Sequence, residues 1–275
     1  MLPQIVEFKA EADELRRLLL TIADADWTSA TQFKQWTVND IVLHLHDGDL
    51  NAEASVDGPE HFAAVRAERQ ALLDRGLTRA QAARELLGEV GGRELLDRWH
   101  ARVATLCEKL AKLPTDARLS WFGPDMGLRM FTTARQMETW AHGQAIYDLL
   151  GETRTATDRL RNIAEIGVRT YGWTFANRGR AVPGPAPNVR LTAPSGAIWQ
   201  WNDPTPDNAI EGDALPFCQV VTQTRNIADT DLRMTGEPAR IWMGLAQCFA
   251  GPPEDPPAPG TRRVVRREDP PRRGT

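Results

Sequence analysis

Glu138 and His142 stand four residues apart in RQMETWAHGQAIYDLLG, a segment whose apolar spacing and closing Gly151 predict a helix. Four residues is close to one turn, so both side chains emerge on one face. They share that face with Ala134, Ala141, Ala145 and Leu149. A carboxylate and an imidazole are thus aimed where apolar side chains go, toward an interior. A buried carboxylate is costly without a partner, and a divalent cation is one such partner. The pair is either half of a zinc-type ligand set or a Glu–His hydrogen bond that steadies the helix.

Other helical periodicities surround this one. Ile5, Phe8, Ala12, Leu15, Leu18 and Ile22 recur by threes and fours over 4–24. A second helix is expected from Thr37, with Asp40 three residues on as a capping box and Val38, Ile41, Val42 and Leu45 as its apolar face. A third follows Pro59 and runs to Gly76, and a long helical stretch from Thr78 to about Leu113 is broken at Gly91-Gly92. WFGPDMG (121–127) reads as a loop, and the Glu138/His142 helix is expected from near Phe131 to Gly151. Antiparallel helices of this kind predict a four-helix bundle over residues 1–151.

After one more helix over 158–176, the stretch RAVPGPAPN reads as a linker, so that 152–183 is helix and connection. The period then becomes alternating at Val189, Leu191 and Ala193, at Trp199 and Trp201, and at Leu232 and Met234. With helices expected over 213–224 and 238–249, residues 184–250 form a small α+β domain, and the fold class of the whole is α+β. The proline- and arginine-rich end, 251–275, is expected to be disordered.

The formal net charge of −4 lacks the basic footprint of a nucleic-acid binder. No apolar run approaches the roughly 18 residues of a membrane span, and MLPQIVEFKAEADELRR has no signal-peptide core. Cys107, Cys218 and Cys248 form no CxxC pair, so a cytoplasmic chain with buried thiols is expected. Rossmann, P-loop and GxSxG motifs are all missing, which leaves nucleotide cofactors and serine hydrolysis without local support.

A three-ligand metal site needs one more group. The second helix offers His44 and His46, which flank its apolar face on opposite sides, and geometry does not choose between them. His46-Asp47 also has the form of an HD phosphohydrolase doublet, but that chemistry needs a histidine upstream and none precedes His44. Asp49 falls near the middle of the apolar stripe, as a partner that orients a ligand imidazole or as an acid at a water-filled bundle mouth. His61 and His100 have no suitable companions and read as surface or packing residues.

WTVNDIVLHL (36–45) resembles the second-helix signature of DinB-like proteins, in the branch that holds the mycothiol-dependent maleylpyruvate isomerases. METWAHGQAIYDLLG (137–151) resembles the later signature of the same branch. WFGPDMG, GVRTYGWTFANRG and EGDALPFCQVVTQ look like a subgroup of metal-binding members. The resemblance implies a DinB-like four-helix bundle with a small C-terminal domain, and places the metal ligands at His44, Glu138 and His142. It also implies a divalent metal, taken as zinc, mycothiol as co-substrate, and an isomerase or S-transferase acting on a small electrophile. In that branch the second domain supplies a basic residue at the cleft, for which Arg225 in TQTRNIADTD is the positional candidate. A non-catalytic metal-binding protein and a metal-dependent hydrolase that uses water are the competing readings, since a fold does not fix a reaction. Trp121, Phe122 and Trp140 are candidate linings of the cleft mouth.

Overall fold

The computed structural model describes residues 1–265. Helices α1 (Pro3–Leu19), α2 (Val38–Asp57), α5 (Gly92–Leu110) and α6 (Leu128–Leu150) make the bundle. Phe8, Leu15, Ile41, Leu45, Trp99, Leu106 and Ile146 are buried between them, on the faces that the three-and-four spacing marks. The capping box of α2 forms as expected: Asp40 N donates to Thr37 Oγ1 (3.1 Å) and Thr37 N donates to the Asp40 carboxylate (3.0 Å). The stretch from Thr78 does not run through to Gly91. It ends as α4 (Arg79–Leu87) at Gly88, whose φ of 84° suits glycine, while α3 (Pro59–Asp74) starts at proline as expected.

The loop over 121–127 closes a short antiparallel hairpin, β1 (Arg118–Leu119) with β2 (Met126–Gly127), and α6 starts directly from it, three residues before Phe131. At its other end Gly151 is left-handed (φ 71°), the expected helix stop.

The helix expected over 158–176 is two, α7 (Leu160–Arg169) and α8 (Tyr171–Ala176). They part at Thr170, whose hydroxyl donates back to the Ile166 carbonyl (2.7 Å). Four strands follow, β3 (Asn188–Thr192), β4 (Ile198–Trp201), β5 (Ala209–Asp213) and β6 (Arg233–Thr235). Their order is β4-β3-β5-β6, with β3 and β5 parallel and the outer pairs antiparallel. β5 has no alternating pattern beyond buried Ile210, and only its pairing on both sides makes it a strand. Helices α9 (Ala214–Val221) and α10 (Glu237–Met243) complete the α+β part, and α10 is shorter than the 238–249 expected.

This part has its own core, and α6 serves both. Met137 and Trp140 on α6 pack with Leu160, Ile163 and Phe217 of the second core. Trp121 and Phe122 pack on Phe62, and Trp121 also meets Phe131. These aromatics are packing residues.

The expectation of disorder from residue 251 onward is corrected for 251–265. Glu254 pairs with Lys34 (2.7 Å), the Pro257 carbonyl accepts from Asn226 (2.7 Å), and Gly260 N donates to Asp229 (2.9 Å). Proline-rich chain keeps its carbonyls free as acceptors, and here the Glu254 carbonyl also accepts from Gln223 Nε2 (2.8 Å) and the Pro252 carbonyl from Gln247 Nε2 (3.0 Å). Residues 266–275 of the same expectation lie outside the described residues. Among the described residues no helix is long and apolar enough to cross a membrane.

Candidate metal centre

Two helices and one loop build the centre. Helix α2, fixed at its start by the Thr37 cap, carries His44, and α6 carries Glu138 and His142 opposite it. His44 Nε2 lies 3.4 Å and His142 Nε2 3.3 Å from the same atom, Glu138 Oε2. One ligand atom from each residue lies within 4.8 Å of the others. The imidazole rings meet edge to face with centroids 4.5 Å apart. The side chains are 37% (His44), 22% (Glu138) and 13% (His142) exposed, so the group is half-buried and open to solvent on the His44 side.

Burial alone would raise the Glu138 carboxyl, but the facing His142 and His44 imidazoles outweigh it and hold it well below the usual carboxylate range. His142 is pushed down to about 4, by burial first and by His44 second, against the pull of Glu138. An ionised carboxylate beside a neutral imidazole is the protonation state that metal ligands require.

The loop before α2 supplies the walls. Ala30 and Thr37 form a bridge, Thr31 N donates to the Trp36 carbonyl (2.8 Å), and Lys34 and Gln35 turn the chain with φ of 50° and 58°. This turn lays Trp36 flat on the His142 ring (5.8 Å, 7° between planes) and sets Phe33 edge-on to it (5.0 Å). Trp36 also meets His44 at 5.3 Å. Periodicity gives no hint of Phe33, because irregular loops place side chains by tertiary contact.

His46 is kept apart. It is buried toward α5, and burial followed by the charges of Arg102 and Arg98 pushes it down to about 4. The structure therefore brings His44 to Glu138 and His142, and leaves His46 out. Asp49 orients no imidazole: its carboxylate accepts from Arg135 Nε (2.8 Å) and Trp99 Nε1 (3.0 Å). Gly48 makes room for that guanidinium, since a Cβ there would come within 2.7 Å of Arg135 Nη2. His100 faces Asp13 (2.7 Å), and His61 is exposed.

Arg225 does not stand free at the cleft. It holds the Asp148 carboxylate through both terminal nitrogens (2.7 and 2.6 Å) and donates also to the Thr224 carbonyl (2.8 Å). It ties the α9–β6 connection to α6.

The family model described as the mycothiol maleylpyruvate isomerase N-terminal domain matches residues 8–147. Two uncharacterized proteins of Mycobacterium tuberculosis, from strains CDC 1551 and H37Rv, are each 36% identical over 255 residues, covering 91% of this chain and 96% of the relative. A crystal structure of the mycothiol-dependent maleylpyruvate isomerase is similar with a TM-score of 0.49 at 13% identity, over 80% of this chain and 88% of that one. A histidine-to-alanine mutant of that isomerase gives the same TM-score at 14% identity. With its helical half matched from α1 to near the end of α6, the chain belongs to the mycothiol maleylpyruvate isomerase N-terminal domain family.

Proposed function

We propose that the chain is a divalent-metal-dependent and thiol-dependent isomerase or transferase, with mycothiol as the thiol, a small electrophile as substrate and the cytoplasm as its place of action. The single observation that carries the metal is the spacing of the donors. Ligand atoms that share a tetrahedral ion at about 2.1 Å stand roughly 3.4 Å apart. The two His–Glu separations of 3.4 and 3.3 Å match that spacing, and both exceed a good N–H···O hydrogen bond. Two imidazoles and one carboxylate are a zinc-type donor set that leaves a position open.

In this reading His44, Glu138 and His142 hold the ion. When bound, it supplies positive charge that keeps a thiol deprotonated near neutral pH. Trp36 and Phe33 shield the imidazoles from water and give an apolar wall to the substrate. Addition of a thiolate to an activated double bond permits rotation about it, and loss of the same thiolate restores the bond in the other geometry. Addition followed by protonation of the carbanion leaves an S-conjugate. Arg225 enters as a positioning residue, through Asp148 on α6. The reading takes 1–151 as the metal-binding unit and 184–250 as the module beside it, joined by 152–183. Membership of a mycothiol isomerase family supports the thiol.

Metal analysis of His44→Ala and His46→Ala tests the ligand set. The first is expected to lose stoichiometric zinc and the second to keep it. Retention by His44→Ala with loss by His46→Ala overturns the assignment. Zinc-loaded protein incubated with a low-molecular-weight thiol and a panel of electrophiles is expected to consume thiol above the metal-free control. Equal turnover without thiol would make water the nucleophile and leave a hydrolase.

A further inference from the structure

Arg262 sits on the segment that composition marks as disordered, and its surroundings set it apart. Its guanidinium carbon lies 4.9 Å from the centre of the Phe33 ring, and Phe33 is the ring that meets His142 at 5.0 Å. The side chain is half-buried, and its one hydrogen bond among the described residues runs from Nη1 to the Gln223 carbonyl (2.5 Å). The charged groups that face it are Glu254, Arg225 and Asp148. Both acids are already taken: Asp148 by both terminal nitrogens of Arg225, and Glu254 by Lys34. Among the described residues, Arg262 is therefore a half-buried cation with no carboxylate of its own, one aromatic ring away from His142.

The segment holds it there deliberately at either side. Gly260 N is fixed by Asp229, and Arg263 N donates to Gln32 Oε1 (2.7 Å), on the same loop as Phe33. Backbone anchors on both flanks leave the intervening side chain little freedom to swing into solvent. A guanidinium stacked on an aromatic ring keeps its edge free to take two oxygens of one anion.

We propose that Arg262 is a specificity-determining residue, which binds a carboxylate on the small molecule entering the His44/Glu138/His142 centre, and that residues 251–265 are a wall of that site. The guanidinium carbon and the His142 ring lie 4.9 and 5.0 Å from the Phe33 ring centre, so a ligand with a few carbons between its two reactive ends is the kind that could contact both. The position of the far end rests on the metal-and-thiol reading above. The anion contact does not.

Two titrations of the full-length protein separate these. In the first, zinc-loaded protein is titrated calorimetrically with 3-mercaptopropionate and with its neutral counterpart 3-mercapto-1-propanol. Wild type is expected to prefer the carboxylate about tenfold, the value of one charge-assisted contact of about 1.4 kcal/mol. Arg262→Gln is expected to lose that preference while keeping its affinity for the neutral thiol, and Arg262→Lys to keep part of it. Equal affinities in wild type, or an unchanged preference in Arg262→Gln, overturn the proposal. In the second, metal-free protein is titrated with succinate, which needs no thiol site. Weaker binding by Arg262→Gln supports the anion contact even if neither thiol binds, a result that would sink the thiol reading alone. No succinate binding by wild type, or equal binding by the variant, overturns the anion contact.

Discussion

Two charged clusters lie between α2 and α6, His44–Glu138–His142 and, one turn back along α6, Asp49–Arg135. Asp49 is 0% and Arg135 4% exposed, and their contact of 2.8 Å with the added Trp99 donor at 3.0 Å is ordinary hydrogen bonding. The carboxylate of that cluster is satisfied by the protein itself. In the other, both imidazoles converge on Glu138 at 3.3 and 3.4 Å, and His44, 37% exposed, leaves the group open to solvent. Depth of burial does not mark the site, since the deeper cluster is structural. What marks it is convergence of two imidazole nitrogens on one carboxylate oxygen at a spacing longer than a good hydrogen bond.

Asp49→Ala is the strongest way to break this contrast. It leaves Arg135 charged and buried, and loss of one partner of a buried pair costs about 3–5 kcal/mol. Urea unfolding of the metal-free protein measures it, and a cost under about 1 kcal/mol would show that the Asp49–Arg135 contact contributes little to the fold. Arg225→Ala comes next. It strands the buried Asp148 carboxylate, which among the described residues then keeps only the Gln144 side-chain donor (3.0 Å). The expected loss is about 2–3 kcal/mol with zinc content unchanged. Loss of zinc without loss of stability would move Arg225 into the centre.

How much of this the sequence carries depends on what each residue answers to. Thr37 and Asp40 are legible because a cap is a local hydrogen-bond pattern. His44 and His46 are not separable locally, for both flank one helical face and only the packing of α2 against α5 and α6 sends them apart. Asp49 reads as functional for the same reason: an acid in an apolar stripe is conspicuous, while its partner Arg135 lies 86 residues away. Strand β5 and Arg262 are the least legible. Both owe their places to partners distant in the chain, and composition alone reads the second as part of a solvated tail. Resemblance of two short helical segments is enough for the family and the fold, because those segments carry His44, Glu138 and His142 and the Thr37 and Gly151 caps of their helices.

The smallest stability effect is the most informative. Glu138→Gln removes the negative charge at the point where His44 and His142 converge, while an amide of the same shape can still face both imidazoles. In chelator-treated protein this exchange is expected to change unfolding stability by less than about 1 kcal/mol, because the contacts it replaces are long and partly open to water. Zinc then separates the variants. An ion that binds only the folded state adds stability by mass action, about 2.7 kcal/mol when its free concentration is a hundred times the Kd. Wild type is expected to show that rise in Tm and Glu138→Gln to lack most of it. A metal-free variant several kcal/mol less stable than wild type would mean that the triad is held together by its own hydrogen bonds, as the Asp49 cluster is. An equal zinc-induced rise in both would place the ion elsewhere. Only a small loss without zinc and a large one with it fits a cluster that the fold assembles and leaves for a ligand to complete.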